Sequence, residues 1–198
     1  MIRVDISSKH FGATQVLGRV RFGIAPGETV ALVGPSGIGK STVLRIVAGI
    51  DTRFEGTVTR PNSIAIVFQQ PTLLPWRSAL DNLLLTQPGL DRAGAERALA
   101  RVGLEGRGDA FPGHLSLGQQ RRLSLARAFA GSPELLIMDE PFVSLDPEMA
   151  EQMMGLTEAL IAEHRPATLF VTHAHAEAER LATRVLELCG QPATLDYN

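Results

Sequence analysis

Three groups of residues have the types and spacings to do chemistry. Gly34, Pro35, Ser36, Gly37, Ile38, Gly39, Lys40, Ser41 and Thr42 fit the pattern G-x-x-x-x-G-K-[ST]. In such a loop the glycines let backbone N–H groups converge on an anion, and a helix N-terminus behind them adds positive potential. Lys40 would reach the outer phosphates of a nucleotide, and the Ser41 hydroxyl would offer an oxygen to Mg²⁺. The second group is Asp139 and Glu140, which end an apolar run. Asp139 suits a metal shell, and Glu140 suits polarising a water aimed at a γ-phosphate. The third is Ser116, Gly118 and Gln119, at the start of a helical pattern. Ser116 serves equally as a helix cap or as a donor presented to an anion.

Apolar runs bounded by Gly or Pro predict buried strands at 29–33, 63–68, 135–138 and 168–172. Helical spacing predicts a helix from Lys40 to a stop at Gly49, and others over 92–102, 119–130, 147–163 and 175–182. The phosphate loop and the Asp139–Glu140 pair therefore both follow strand ends, the edge of an α/β sheet where ligands collect. Strands alternating with helices predict a mainly parallel sheet covered on both faces. The stretch 73–102 breaks that alternation and reads as a helical lobe inserted into the sheet domain.

At 198 residues the chain is expected to form a single domain, at about 150 residues per domain. Lys plus Arg number 19 against 21 Asp plus Glu, so no bulk positive charge draws it to nucleic acid or anionic lipid. A 44% hydrophobic share beside 20% charged residues argues for a globular chain and against a disordered one. No apolar run approaches the roughly 18 residues of a membrane span, and the first residues lack a signal peptide's apolar stretch. The expectation is a cytoplasmic chain. With Cys189 alone, no internal disulfide can form.

The segment LSLGQQRRLSLARAF, beginning at Leu115, resembles the signature of ATP-binding cassette ATPases and the helix behind it. The likeness runs from about Phe11 to Arg184, with the motifs in the family's order. It implies a phosphate-loop NTPase core with a mainly parallel sheet, a reduced antiparallel β lobe and an inserted helical lobe at about 71–130, all one nucleotide-binding domain over 1–198. It further implies ATP and Mg²⁺ as ligands, with Ser41, Gln69 and Asp139 around the metal. Lys40, Glu140, Gln69 and His173 would be catalytic, Gln69 as the Q-loop glutamine and His173 as the switch histidine. Phe11 would stack on adenine, although by itself it reads as core, and Val16 would join the nucleotide site. Asp146 falls in the D-loop, while its following proline suits a helix cap equally well. Two copies, or this chain and a paired cassette, would clamp two ATP molecules between the Lys40 loop of one subunit and the Ser116 segment of the other.

The segment Gln69 to Trp76, with Pro71 and Pro75, resembles the Q-loop region of bacterial importers in the nitrate, sulfonate and taurine group. That resemblance implies docking onto a separate membrane permease, attachment to the inner face of the membrane through it, and a solute-binding protein in the full complex. Leu73, Leu74 and Trp76 would form the docking surface or else the lobe's own core. Three departures from the family pattern stand out. Leu117 replaces a signature glycine, Ala174 and Thr183 replace common acidic residues, and Gln69 follows Lys40 by only 29 positions. The short stretch after the histidine region implies no C-terminal regulatory domain.

Overall fold

The computed structural model describes residues 1–196, which divide into two compact units. The first comprises Met1–Ile66, Glu134–Pro141 and the chain from Arg165 onward; the second comprises Val67–Pro133 and Phe142–His164.

In the first unit, β1 (Ile2–Phe11), β2 (Thr14–Leu17) and β3 (Val20–Ile24) form an antiparallel sheet in the order β2-β1-β3. Alternation builds it: Ile2, Val4 and Ile6 point inward, and opposite them Val20, Phe22 and Ile24 do the same. β4 (Thr29–Val33) is buried along its whole length and leads through the phosphate loop into α1 (Lys40–Ala48), which stops at Gly49 in the left-handed conformation. β5 (Glu55–Thr59) returns to pair with β1, and β6 (Ile64–Val67) closes one edge of a second sheet.

The second unit is helical. α2 (Ala79–Leu84) is capped by Ser78 and α3 (Arg92–Arg101) by Asp91. A 3-10 turn at Pro112–His114 precedes α4 (Leu117–Phe129), whose Leu123, Leu125, Ala126 and Phe129 are buried. Later in the chain, α5 (Pro147–His164) packs against α4.

The remaining elements belong to the first unit: β7 (Leu135–Asp139), β8 (Ala167–Val171), α6 (His175–Leu181), β9 (Arg184–Cys189) and β10 (Thr194–Asp196). The six-stranded sheet runs β10-β9-β4-β8-β7-β6, with β9, β4, β8 and β7 parallel and β10 antiparallel to β9. Its apolar strands are buried on both faces: α1 packs on β7 and β8, and α6 on β4. One core joins this sheet, α1 and the antiparallel sheet, through Val43, Leu44, Ile46 and Val47 of the helix and Leu32, Ile137 and Leu169 of the strands. Among the described residues, no helix is long and apolar enough to cross a membrane.

The expected strands and helices lie within a few residues of these bounds. The antiparallel strands and β9 add to them.

Candidate nucleotide-binding site

Because β4 is sealed in the core, the chain leaves it at a fixed point, and Gly34 turns immediately with φ 144°. A Cβ there would sit 2.6 Å from the Leu188 carbonyl oxygen, so only glycine fits this close approach. Five residues on, Gly39 has φ 117°, and a Cβ on it would meet Leu17 at 2.8 Å and Val16 at 3.2 Å. Val16 is thereby placed against the loop. Pro35, Ser36 and Gly37 are exposed, and with Ile38, Gly190 and Gln191 they line an open cleft of about 420 Å³.

Lys40 is buried at the first turn of α1, where its ammonium donates to the carbonyls of Gly34 at 2.8 Å and Pro35 at 2.9 Å. The cation is held inside the loop, beside a helix N-terminus that already favours anions. Next to it, the Ser41 hydroxyl donates to Asp139 Oδ1 at 3.1 Å, joining residues 98 positions apart in the chain. Thr42 lies one residue further into α1.

Burial pushes the Asp139 carboxyl above the ordinary carboxylate range. The Ser41 hydrogen bond opposes that rise, the Glu140 charge adds to it, and Arg45 and Lys40 counter it. A cation bound here would offset the cost of desolvating the carboxylate. Two hard oxygens this close, beside a place for phosphate, suit Mg²⁺, which keeps waters and substrate oxygens for its other positions. These residues fit the metal.

Glu140 follows with φ 47°, a left-handed conformation that costs a non-glycine residue on the order of 1 kcal/mol or more. Its N–H donates to the Val171 carbonyl at 3.0 Å, which fixes the turn against β8. Its Oε1 lies 3.8 Å from His173 Nδ1, with both side chains reaching solvent. That separation exceeds a direct hydrogen bond and allows a shared water. His173 is held from behind. Thr172, buried beside it, donates its hydroxyl to Glu177 Oε2 at 2.5 Å and accepts the Ala174 N–H at 3.0 Å.

Phe11 is 53% exposed and is no part of the core. The Lys9 ammonium lies 4.5 Å from its ring centroid, a cation–π contact that occupies one face. Lys9, almost fully buried, also pairs with Asp51 at 2.6 Å and donates to the Arg53 carbonyl at 2.7 Å. The Lys9 bond is the largest cause holding the Asp51 carboxyl below its ordinary range.

In the second unit Ser116 caps α4: its Oγ accepts from Gln119 N at 3.3 Å, and Gln119 Oε1 accepts from Ser116 N at 3.0 Å. This reciprocal box leaves N–H groups of the first turn facing outward from the helix end. Leu117 is the first helical residue and is 54% exposed, whereas Gly118 is buried beneath it. Asp146 caps α5 by accepting the Met149 N–H at 3.0 Å. Gln69 and Gln70 are both exposed, as is Trp76, while Leu73 and Leu74 are half-buried.

Lys9, Thr172, Gly190 and Gln191 lie at or beside the site without belonging to any motif. For Lys9 the signal was misleading. Alternation along β1 turns it outward, and register shifts at Ile6/Ser8 and Lys9/His10 bring it inward. Thr172 and Glu177 stand five apart across a strand-to-helix turn, a juxtaposition with no periodic signature.

A phosphate loop between a buried parallel strand and its helix, with a carboxylate two strands away bonded to the loop's own serine, defines a nucleoside-triphosphate-binding domain of the phosphate-loop class. The family model for ABC transporters matches residues 17–143. The aliphatic sulfonates import ATP-binding protein SsuB 3 of Nocardia farcinica is 47% identical over 94% of this chain and 76% of its own length. SsuB 2 of Rhodococcus jostii is 48% identical over 94% and 78%. Among solved structures, a dimeric ATP-binding cassette in a post-hydrolysis state with ADP and Pi matches with TM-score 0.80 and 28% identity, covering 100% of this chain and 97% of that one. The chain belongs to the ABC transporter family, as one of its nucleotide-binding ATPase subunits.

Proposed function

We propose that this chain drives import of a small organic anion, an aliphatic sulfonate in the first instance, by clamping ATP between two cassettes. The observation that carries the reading is the Ser41–Asp139 bond beside the buried Lys40 cation, which assembles phosphate and metal ligands at one point. The choice of sulfonate rests on the relatives 47–48% identical to this chain being aliphatic sulfonates import ATP-binding proteins.

In this account, the nucleotide phosphates lie in the loop from Gly34 to Thr42, and Lys40 exchanges its two carbonyl partners for phosphate oxygens. Ser41 and Asp139 would hold Mg²⁺, with Gln69 assigned to the same shell and to sensing the γ-phosphate. Bound there, the metal would supply charge neutralisation for the phosphate oxygens. Phe11 offers its free face to adenine, with Val16 at the side of the site. Glu140 takes a hydrogen bond from the attacking water and orients it, and His173 donates toward the γ-phosphate. Catalysis is then mainly positioning and electrostatics, as phosphoryl transfer requires.

The partner subunit presents its Ser116, Gly118 and Gln119 to the same γ-phosphate through the Ser116 hydroxyl, the Gly118 N–H and Gln119 Nε2, since the Ser116 and Gln119 N–H groups close the capping box. Asp146, already a cap, lines the dimer contact. We assign residues 71–130 to a helical lobe of a single nucleotide-binding domain, with the segment Gln69 to Trp76 as the permease-docking face. The chain then works on the cytoplasmic face through its permease, with a solute-binding protein delivering the anion.

Lys40→Ala tests the reading: removing the buried cation should weaken ATP binding by about 100-fold or more, from the loss of charge-assisted bonds. Unchanged affinity, measured by calorimetry, would remove the phosphate-loop assignment.

A further inference from the structure

The segment 71–78 has no secondary structure of its own, yet it is fastened at both ends by side chains from helices of its own unit. At the near end, Arg127 of α4 donates from one guanidinium nitrogen to the Thr72 carbonyl at 2.6 Å and from the other to Thr72 Oγ1 at 3.0 Å. The Arg127 carbonyl accepts from Gln87 Nε2 at 2.9 Å, so the residue is held from behind. The guanidinium is half-buried, and burial pulls its pKa below the ordinary arginine value.

At the far end, Asn82 of α2 is fully buried. Its Oδ1 accepts from Leu74 N at 2.8 Å, and its Nδ2 donates toward the carbonyls of Leu74, Arg77 and Ser78 at 3.2, 3.2 and 2.9 Å. An amide whose oxygen and nitrogen are both committed to one loop specifies that loop's shape. Within the stretch that Asn82 grips, from Leu74 to Ser78, Trp76 stands 69% exposed.

We infer that Arg127 and Asn82 are positioning residues that make the exposed Trp76 loop travel with α4, so that the loop and the Ser116 end of that helix move as one piece. The inference rests on the reading that this loop is the permease-docking face. α4 carries Ser116 and Gly118 at one end and Arg127 in its last turn. A push on the loop is therefore delivered to the helix through two charge-assisted hydrogen bonds instead of being absorbed by a loose connection. Cutting Arg127 away frees the near end without touching the nucleotide site.

The test uses the full chain, alone and in complex with the permease subunits that copurify with it, reconstituted in proteoliposomes. Trp76 is the sole tryptophan, so its fluorescence anisotropy reads the loop directly. In Arg127→Met the permease-stimulated ATPase should fall about tenfold, the scale of lost charge-assisted bonds, while ATP affinity and the isolated chain's ATPase stay within about twofold. Trp76 anisotropy should drop. Arg127→Lys should recover part of both signals, because one ammonium replaces a two-pronged donor. Adding Thr72→Val to Arg127→Met should cost nothing further, since the pair acts as a unit.

Full stimulation with a loosened loop, an unchanged anisotropy, or an equal loss of the isolated chain's ATPase would each overturn the inference. If Arg127→Met does not fold, Thr72→Val alone decides: Thr72 is exposed and the change removes a single acceptor, so stimulation should fall about threefold. No change there would overturn the inference. Trp76→Ala separates the two claims. If its complex assembles and is stimulated normally, the docking reading fails whatever Arg127 does; if it loses the permease while Arg127→Met keeps full coupling, only the inference fails.

Discussion

Replacing Asp51 by Asn should destabilise the protein far more than a change near the surface ordinarily does. The Lys9 side chain is only 3% exposed, and both Asp51 oxygens serve it, Oδ1 at 2.8 Å and Oδ2 at 2.6 Å. An asparagine can still accept the Arg53 N–H that Asp51 Oδ1 now takes at 3.0 Å, but it leaves a buried ammonium without a counter-charge. Breaking such a pair from one side costs about 3–5 kcal/mol, and the 18% exposure of Asp51 puts the expectation near ~3 kcal/mol. For a chain of this size that is a fall of about 6–12 °C in Tm, measured by calorimetry at pH 7.

The pH dependence supplies a second check. The folded-state pKa of Asp51 lies below its ordinary 3.8, so its contribution is whole above that value and is lost as pH falls through the lower folded value. The gap between the parent chain and Asp51→Asn should therefore close below about pH 4. Replacing both partners, as Lys9→Met with Asp51→Leu, should restore stability to within about 1 kcal/mol, because no charge is then left buried alone. A Tm for Asp51→Asn within about 2 °C of the parent, or a double variant no better than the single one, would refute the reasoning.

Two further outcomes follow from the site. Thr172→Val removes the hydroxyl that accepts the Ala174 N–H across His173 and donates to Glu177, so kcat for ATP hydrolysis should fall about tenfold with ATP affinity nearly unchanged. An unchanged kcat in single-turnover assays would show that the histidine is placed by other means. Phe11→Ala should lower affinity for ATP and ADP alike by about tenfold, the scale of one stacked base, and equal affinities would detach Phe11 from the nucleotide.

Much of this was legible in the sequence because it is local. Gly34 to Thr42 lie between a uniformly apolar strand and a helix with a glycine stop, and each part carries its own signal. The parallel strands, apolar throughout and bounded by Gly or Pro, stand out for the same reason. The antiparallel strands were present in the alternation of Ile2, Val4 and Ile6, and of Val20, Phe22 and Ile24, but mixed polar strands of this kind give a weaker signal than continuous apolar runs. Lys9 could not be read at all. A bulge sets its direction, and its partner lies 42 residues away. The Ser41–Asp139 contact likewise depends on strand order, which periodicity does not specify. Ser116 and Asp146 turn out to be helix caps in geometry, and the cap is also what turns the free N–H groups of α4 outward.

The central claim is an ATP-driven clamp of two cassettes, and the Glu140→Gln variant measured by light scattering after gel filtration tests it most directly. The carboxamide keeps the size of the side chain while losing the charge that polarises the attacking water, so binding persists as hydrolysis stalls. With saturating Mg-ATP the variant should run as a dimer, and with ADP as a monomer. A variant that stays monomeric at saturating ATP would contradict the account.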